Sequence, residues 1–293
     1  MLCLLSVRPS VLLFAKRLTE TPISNFLFLF CCSNGKEYLD GLSGLWSNSL
    51  GNGNERIIAA ASNQMKKLAY QHTFWNRTTD IAEEYSSKLV EFCQPSLGVT
   101  QTFFSSGGSD ANDTNMKLAW YYWTAMGKPD KVKIIAREKA YHGVTAIAAS
   151  VSGMPKMHKG FGPLPLPWVS HVSTPHYWRN GFPGETEEEY SSRLAKELED
   201  LILREGPDTI SAFIAEPVMG AGGVIPPPKG YFEKIQPVLR KYDILFILDE
   251  VRVLSYSYRL WIQLHSCFYL LDLHFFASLL TPTIGYHRLW APW

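Results

Sequence analysis

Long apolar runs are missing from this sequence. Phe26 to Cys32 is far shorter than the about 20 residues a bilayer-spanning helix needs, and Cys267 to Leu280 is interrupted by Asp272 and His274. No membrane association is expected. Excess charge is missing too: 28 basic against 27 acidic residues leave a net charge of +1. No global basic field points to nucleic acid. Cysteine is scarce and odd in number, with five at Cys3, Cys31, Cys32, Cys93 and Cys267. That spacing matches neither a disulfide framework nor a zinc site, so a reducing compartment is the simpler reading and no metal site is expected. No Gly-Lys-Ser/Thr P-loop occurs, and Gly51 to Arg56 carries arginine where a dinucleotide fingerprint needs its third glycine. Both absences disfavour a nucleotide-binding module. Lysine, finally, is absent after Lys241.

What is present fits a globular chain, with 46% hydrophobic and 19% charged residues. The 293 residues suffice for one large domain or two ordinary ones. Composition shifts twice. Residues 1–33 are apolar and irregular. The first nineteen include Arg8, Lys16, Arg17, Ser6 and Ser10 and no acid. Two readings stay open for them: a weak mitochondrial transit peptide, or an unstructured leader on a cytoplasmic protein. Residues 34–250 have ordinary enzyme composition. Residues 251–293 hold three arginines, one aspartate, no lysine and no glutamate.

Strand and helix signals alternate through the middle. Val99 to Phe104, β-branched and aromatic, predicts a strand. A Ser/Gly turn follows, then a helix from Asp110 to Met126 with Met116, Ala119, Trp120 and Trp123 on one face. Gly127 and Pro129 end it. Val132 to Ala136 predicts a buried strand. Thr186 with Glu189 forms a capping box before a helix to about Arg204. Ser211 to Ala215 and Ile244 to Leu248 are further strands. Between them lies a helix over Tyr231 to Tyr242, strained by Pro237. This alternation predicts an α/β domain with a largely parallel sheet.

Four places could carry chemistry. Ser105-Ser106-Gly107-Gly108-Ser109 joins a strand to a helix, where glycines and free helix N–H groups can cradle a phosphate. Asp110 beside it would oppose an anion unless its side chain points away. Ile244 to Leu248 ends in Asp249 and Glu250, at the strand end where ligands of parallel sheets bind. An acid there can hold a cation or a protonated ring nitrogen. A magnesium-ligating pair and a helix cap are the alternatives. Tyr141-His142-Gly143 offers an aromatic for stacking and a histidine for stacking or base work. Glu216-Pro217 is another acid at a strand end.

Together these motifs resemble the class III (ω-) aminotransferases of the pyridoxal-phosphate fold type I. The matching pieces are Lys36 to Gly41, Phe103 to Asn115, Tyr141-His142-Gly143, Ala215-Glu216-Pro217-Val218 with Gly220 to Gly223, and Leu248-Asp249-Glu250-Val251. Pro175 to Arg179 and Pro183 to Glu189 are similar to the plant-type γ-aminobutyrate:pyruvate transaminases. The resemblance covers roughly residues 34–251. It implies an N-terminal segment plus the first part of a large domain, with the later sheet strands and the C-terminal small domain missing. Pyridoxal 5'-phosphate is the implied cofactor. Gly108 and Ser109 would bind its phosphate, Tyr141 would stack on its ring near the substrate, and Asp249 would pair with the ring nitrogen. Glu216 would support the site, and Trp46 would lie near the substrate entrance. An ω-amino acid donor, a 2-oxo acid acceptor and a homodimer are implied as well. The family's Schiff-base lysine lies beyond the Asp-Glu-Val strand, where this sequence has none. Two expectations follow: a transaminase by ancestry, or a non-catalytic chain that keeps only part of the cofactor site.

Overall fold

The computed structural model describes residues 29–31, 36–41, 45, 50–73, 75–97 and 100–250. They divide into two compact units, one ending at Asp80 and the other starting at Ile81. In the first, β1 (Leu29–Cys31) pairs antiparallel with β2 (Glu37–Leu39), placing Phe30 opposite Tyr38. Helix α1 (Glu55–Lys67) follows. The Asn54 side chain accepts from the Ile57 N–H at 3.2 Å, so the Gly/Asn run that fails as a fingerprint serves as a helix start. Glu55 lies in the first turn and Lys66 and Lys67 in the last, complementing the helix dipole.

The second unit holds α2 (Asp80–Leu97), α3 (Gly108–Ala125), β3 (Lys133–Arg137), α4 (Ala146–Val151), β4 (Val169–Val172) and α5 (Tyr177–Asn180). After these come α6 (Glu187–Glu205), β5 (Ile210–Ala215), α7 (Tyr231–Lys241) and β6 (Leu245–Leu248). The strands form one parallel sheet in the order β4-β3-β5-β6. Parallel neighbours need crossover connections, and the helices between strands supply them. Side chains alternate across the sheet. Ile134, Ala136, Ala212, Ile214 and Ile247 pack with Met116, Ala119 and Val151. Ile135, Phe213, Ala215 and Phe246 face Tyr190, Leu198, Ile202, Phe232 and Leu239 of α6 and α7. Covering both faces is what makes the strands read as near-continuous apolar runs.

The sequence-based elements hold with small shifts at their ends. Helix α3 starts at Gly108, two positions before the expected start, because Gly107 acts as N-cap. Met116, Ala119 and Trp123 are buried in it, as the period predicts. The Thr186–Glu189 capping box is formed in both directions. Pro237 stands inside α7, whose Ile235, Gln236 and Leu239 are buried, so packing overrides the lost backbone bond. One expectation fails. Residues 100–104 form no strand, while Val99 lies outside the described residues. Phe104 instead stacks on Tyr85 of α2 at 5.7 Å, and Thr102 hydrogen-bonds Ser86 at 2.6 Å. β-propensity reports a fit to an apolar surface, and here a helix supplies that surface. Among the described residues, no helix is long and apolar enough to cross a membrane.

At the amino end of the sheet, Lys131 is 1% exposed. Its ammonium donates to the carbonyls of Pro207, Ile210, Tyr242 and Asp243 at 2.9 to 3.1 Å. Burial pushes it down to about 8, and the neighbouring Lys128 acts in the same direction. It pins the segments that lead into β5 and β6, leaving the carboxyl end open for a site.

Candidate functional site

Three strands deliver polar residues to that carboxyl end: Tyr141 and His142 just beyond β3, Glu216 after β5, and Asp249 after β6. With the start of α3 they line a cavity of about 200 Å³. Its lining is Gly108, Ser109, Asn112, Tyr141, His142, Gly143, Glu216, Val218 and Asp249.

One end of the cavity is the N-terminus of α3. Gly107 is fully extended at the N-cap (φ −174°) and has no side chain to accept from the first-turn N–H groups. The positive end of an 18-residue helix is therefore presented to the cavity. Asp110 is exposed and does not line the cavity, which removes the charge conflict raised by the sequence. Asp113 turns to α4, accepting from Thr145 Oγ1 at 2.6 Å and the Ala148 N–H at 3.1 Å. Ser109 Oγ accepts from the Val144 N–H at 3.0 Å, tying the loop after β3 to the helix start. That loop crosses Ser109 at Gly143, whose φ is +133°. A Cβ there would lie 2.5 Å from Ser109 Oγ and 2.9 Å from Ser109 Cα, so only glycine fits.

The other end is acidic. Asp249 is 8% exposed, and its N–H continues the β5–β6 ladder to the Ala215 carbonyl at 2.9 Å. Its Oδ2 accepts from Asn112 Nδ2 at 3.0 Å and meets His142 Nδ1 at 2.8 Å. The proton between them belongs on Nδ1, since Nδ1 faces an acceptor and the buried Nε2 has no partner. Two donors on one carboxylate oxygen stabilise its charge.

Glu216 is wired as a clamp. Oε1 accepts from the Tyr141 N–H at 3.1 Å and Oε2 from the Gly220 N–H at 2.8 Å. Its own carbonyl accepts from Nη2 of the buried Arg137 at 2.6 Å. The acid thereby fixes the backbone that carries Tyr141.

Gly108, Ser109, Tyr141, Glu216 and Asp249, named from the sequence, are thus gathered in one cavity. Trp46 lies outside the described residues. His142, read as a stacking or basic group, lines the cavity with its Nδ1 against Asp249. Asn112 was not singled out. Its signal was its position, one helical turn after Gly108 and so on the same face of α3. An anion-binding helix end facing a buried acid across a small cavity suits a ligand with a phosphate at one end and a protonated ring nitrogen at the other.

Comparison with known proteins gives this geometry a lineage. Residues 29–253 match the family model for class III aminotransferases. γ-Aminobutyrate transaminase 3, chloroplastic, from Solanum lycopersicum is 57% identical over 218 residues, which are 74% of this chain and 42% of that protein. γ-Aminobutyrate transaminase 1, mitochondrial, from Oryza sativa subsp. japonica is 57% identical over 219 residues, with the same shares. The chain therefore spans less than half the length of these curated relatives. A crystal structure of the ω-transaminase from Pseudomonas jessenii in complex with PMP superposes with a TM-score of 0.75 at 47% identity. That match covers 78% of this chain and 49% of the other. With a family model matched over residues 29–253 and relatives at 57% identity, the chain belongs to the class III aminotransferases.

Proposed function

We propose that the chain carries the phosphate and ring-nitrogen parts of a pyridoxal 5'-phosphate site, in a protein whose reaction moves an amino group from an ω-amino acid to a 2-oxo acid. The observation that carries this reading is Asp249, buried at the end of β6 and lining the cavity opened by the α3 N-terminus. The residues present fit the group. The N–H groups of Gly108 and Ser109 would hold the phosphate dianion, as helix starts do. The Tyr141 ring would lie against the pyridine. Asp249, held by Asn112 and His142, would keep the ring nitrogen protonated. When bound, the cofactor supplies an electron sink for the bond-breaking carbon of the substrate, and the protein supplies orientation and charge. The names of the relatives favour γ-aminobutyrate as donor and an organelle as location. Pyruvate or glyoxylate as acceptor and a homodimeric assembly rest only on the resemblance of the sequence motifs to the family.

Titrating the purified chain with pyridoxal 5'-phosphate while following tryptophan fluorescence tests the site. Saturable binding is expected in the native chain, with binding weakened at least ~10-fold by Asp249→Ala. No saturation, or equal affinity in the variant, sinks the reading.

A second reading, cofactor binding without transamination, is favoured by one specific observation. No lysine lines the cavity among the described residues. Borohydride reduction of the loaded chain followed by peptide mapping separates the two. A pyridoxyl-lysine at the cavity, together with consumption of γ-aminobutyrate, overturns the second reading.

A further inference from the structure

Asn112 sits in the interior of α3, where asparagine is a poor helix former. It is 5% exposed. Its side-chain amide donates to Asp249 Oδ2 at 3.0 Å and to the His142 carbonyl at 2.7 Å. Both partners are acceptors, one a carboxylate and one a backbone carbonyl. The opposite amide orientation would set an oxygen against two oxygens, so Nδ2 is fixed in place. Three separate pieces of chain, namely α3, the loop after β3 and the end of β6, meet on this one amide. It stands about one turn, or about 5.4 Å of rise, beyond the residue that opens the helix at the cavity.

We infer that Asn112 is a positioning residue that couples the two ends of the cofactor site. The inference rests on the cofactor reading given above. Helix α3 presents phosphate-binding amides in its first turn and, one turn on, the amide that orients the ring-nitrogen acid. The distance between anion site and acid is then set inside a single rigid element and not by the meeting of loops. A helix shift that loosened the phosphate would also turn Asp249, so the two ends of the ligand are recognised jointly.

A double-mutant cycle on the full chain tests this, with pyridoxal 5'-phosphate as the probe and its dissociation constant as the readout. Asn112→Ala is expected to weaken binding by ~10-fold in the native background. In an Asp249→Ala background the same change is expected to shift it by less than about twofold, because its target is gone. A residue that only supports the fold would weaken both backgrounds alike, and that result, or no weakening at all, overturns the inference. Should Asn112→Ala fail to fold, the isosteric Asn112→Asp keeps the shape and sets a carboxylate against Asp249. It is expected to weaken binding at least as much as alanine would, and native-like affinity in it overturns the proposal. A native chain that does not bind the probe overturns the cofactor reading first and this inference with it. Intact binding with an additive cycle overturns the inference alone.

Discussion

His142 Nδ1 and Asp249 Oδ2 stand 2.8 Å apart although 107 positions separate them in sequence, and their side chains are 0% and 5% exposed. They come from beyond strands β3 and β6, which are not neighbours: β5 lies between them in the sheet. The pair therefore reads the correct assembly of three strands at once. His142→Phe keeps a ring in the space and removes the donor. It is expected to cost about 1.5–3 kcal/mol in a urea melt, the range for one hydrogen bond to a charged group, with Asn112 still donating to the same oxygen. A melt superimposable on that of the native chain would show that the pairing contributes nothing.

Gly143→Ala is expected to damage the helix start more than its single methyl suggests. The residue keeps a φ of +133°, and the new Cβ would meet Ser109 backbone at 2.9 Å. Strain of this kind costs about 1–3 kcal/mol. Relief requires Ser109 and the loop after β3 to separate, so pyridoxal phosphate affinity should fall together with stability. Unchanged affinity in the variant would mean that the α3 terminus does not bind the phosphate group.

Acid stability gives a third measurement. The Arg193 guanidinium grips Glu185 through Nε at 2.8 Å and Nη2 at 2.7 Å, and holds its carboxyl down to about 2 from the usual 4.5, with the Phe182 N–H assisting and burial opposing. Because the folded value is depressed, the stabilisation is fully present above pH 4.5 and is lost as pH falls towards 2. Glu185→Gln lacks the charge. Urea melts of both proteins should differ by a constant amount above pH 4.5, and the gap should close below it. A gap that persists at the acid end would assign the difference to packing and not to the ion pair.

Local signals in the sequence were reliable where both partners lie within one turn or one strand. Thr186 and Glu189 are three residues apart, and their capping box forms as read. Asp249 and Glu216 follow apolar strands, and strand ends of a parallel sheet are where polar groups collect. What escaped the reading depends on distant partners. Asn112 meets Asp249 across 137 positions, and nothing near either residue announces the other. Lys131 was not singled out, because the four carbonyls that close around it come from two other segments. Strand β4 reads Val-Ser-His-Val, too short and too polar to stand out. Phe104 carried strand propensity, but it stacks on Tyr85 of α2, a partner its neighbours in sequence do not announce.

Parallel order has a consequence in time. A ribosome adds about 5–20 residues per second, so the 107-position interval from His142 to Asp249 lasts roughly 5–20 s. Throughout it, the glycine-led helix, the tyrosine and the histidine exist without their acid, and Glu216 arrives only part-way through. The nascent chain therefore passes through a stage in which the start of α3 exists without Asp249. Among the described strands β6 is the last to emerge, and only with it does Asp249 join the cavity, so a ligand that needs both the α3 terminus and this acid would be captured late in folding and would not seed it.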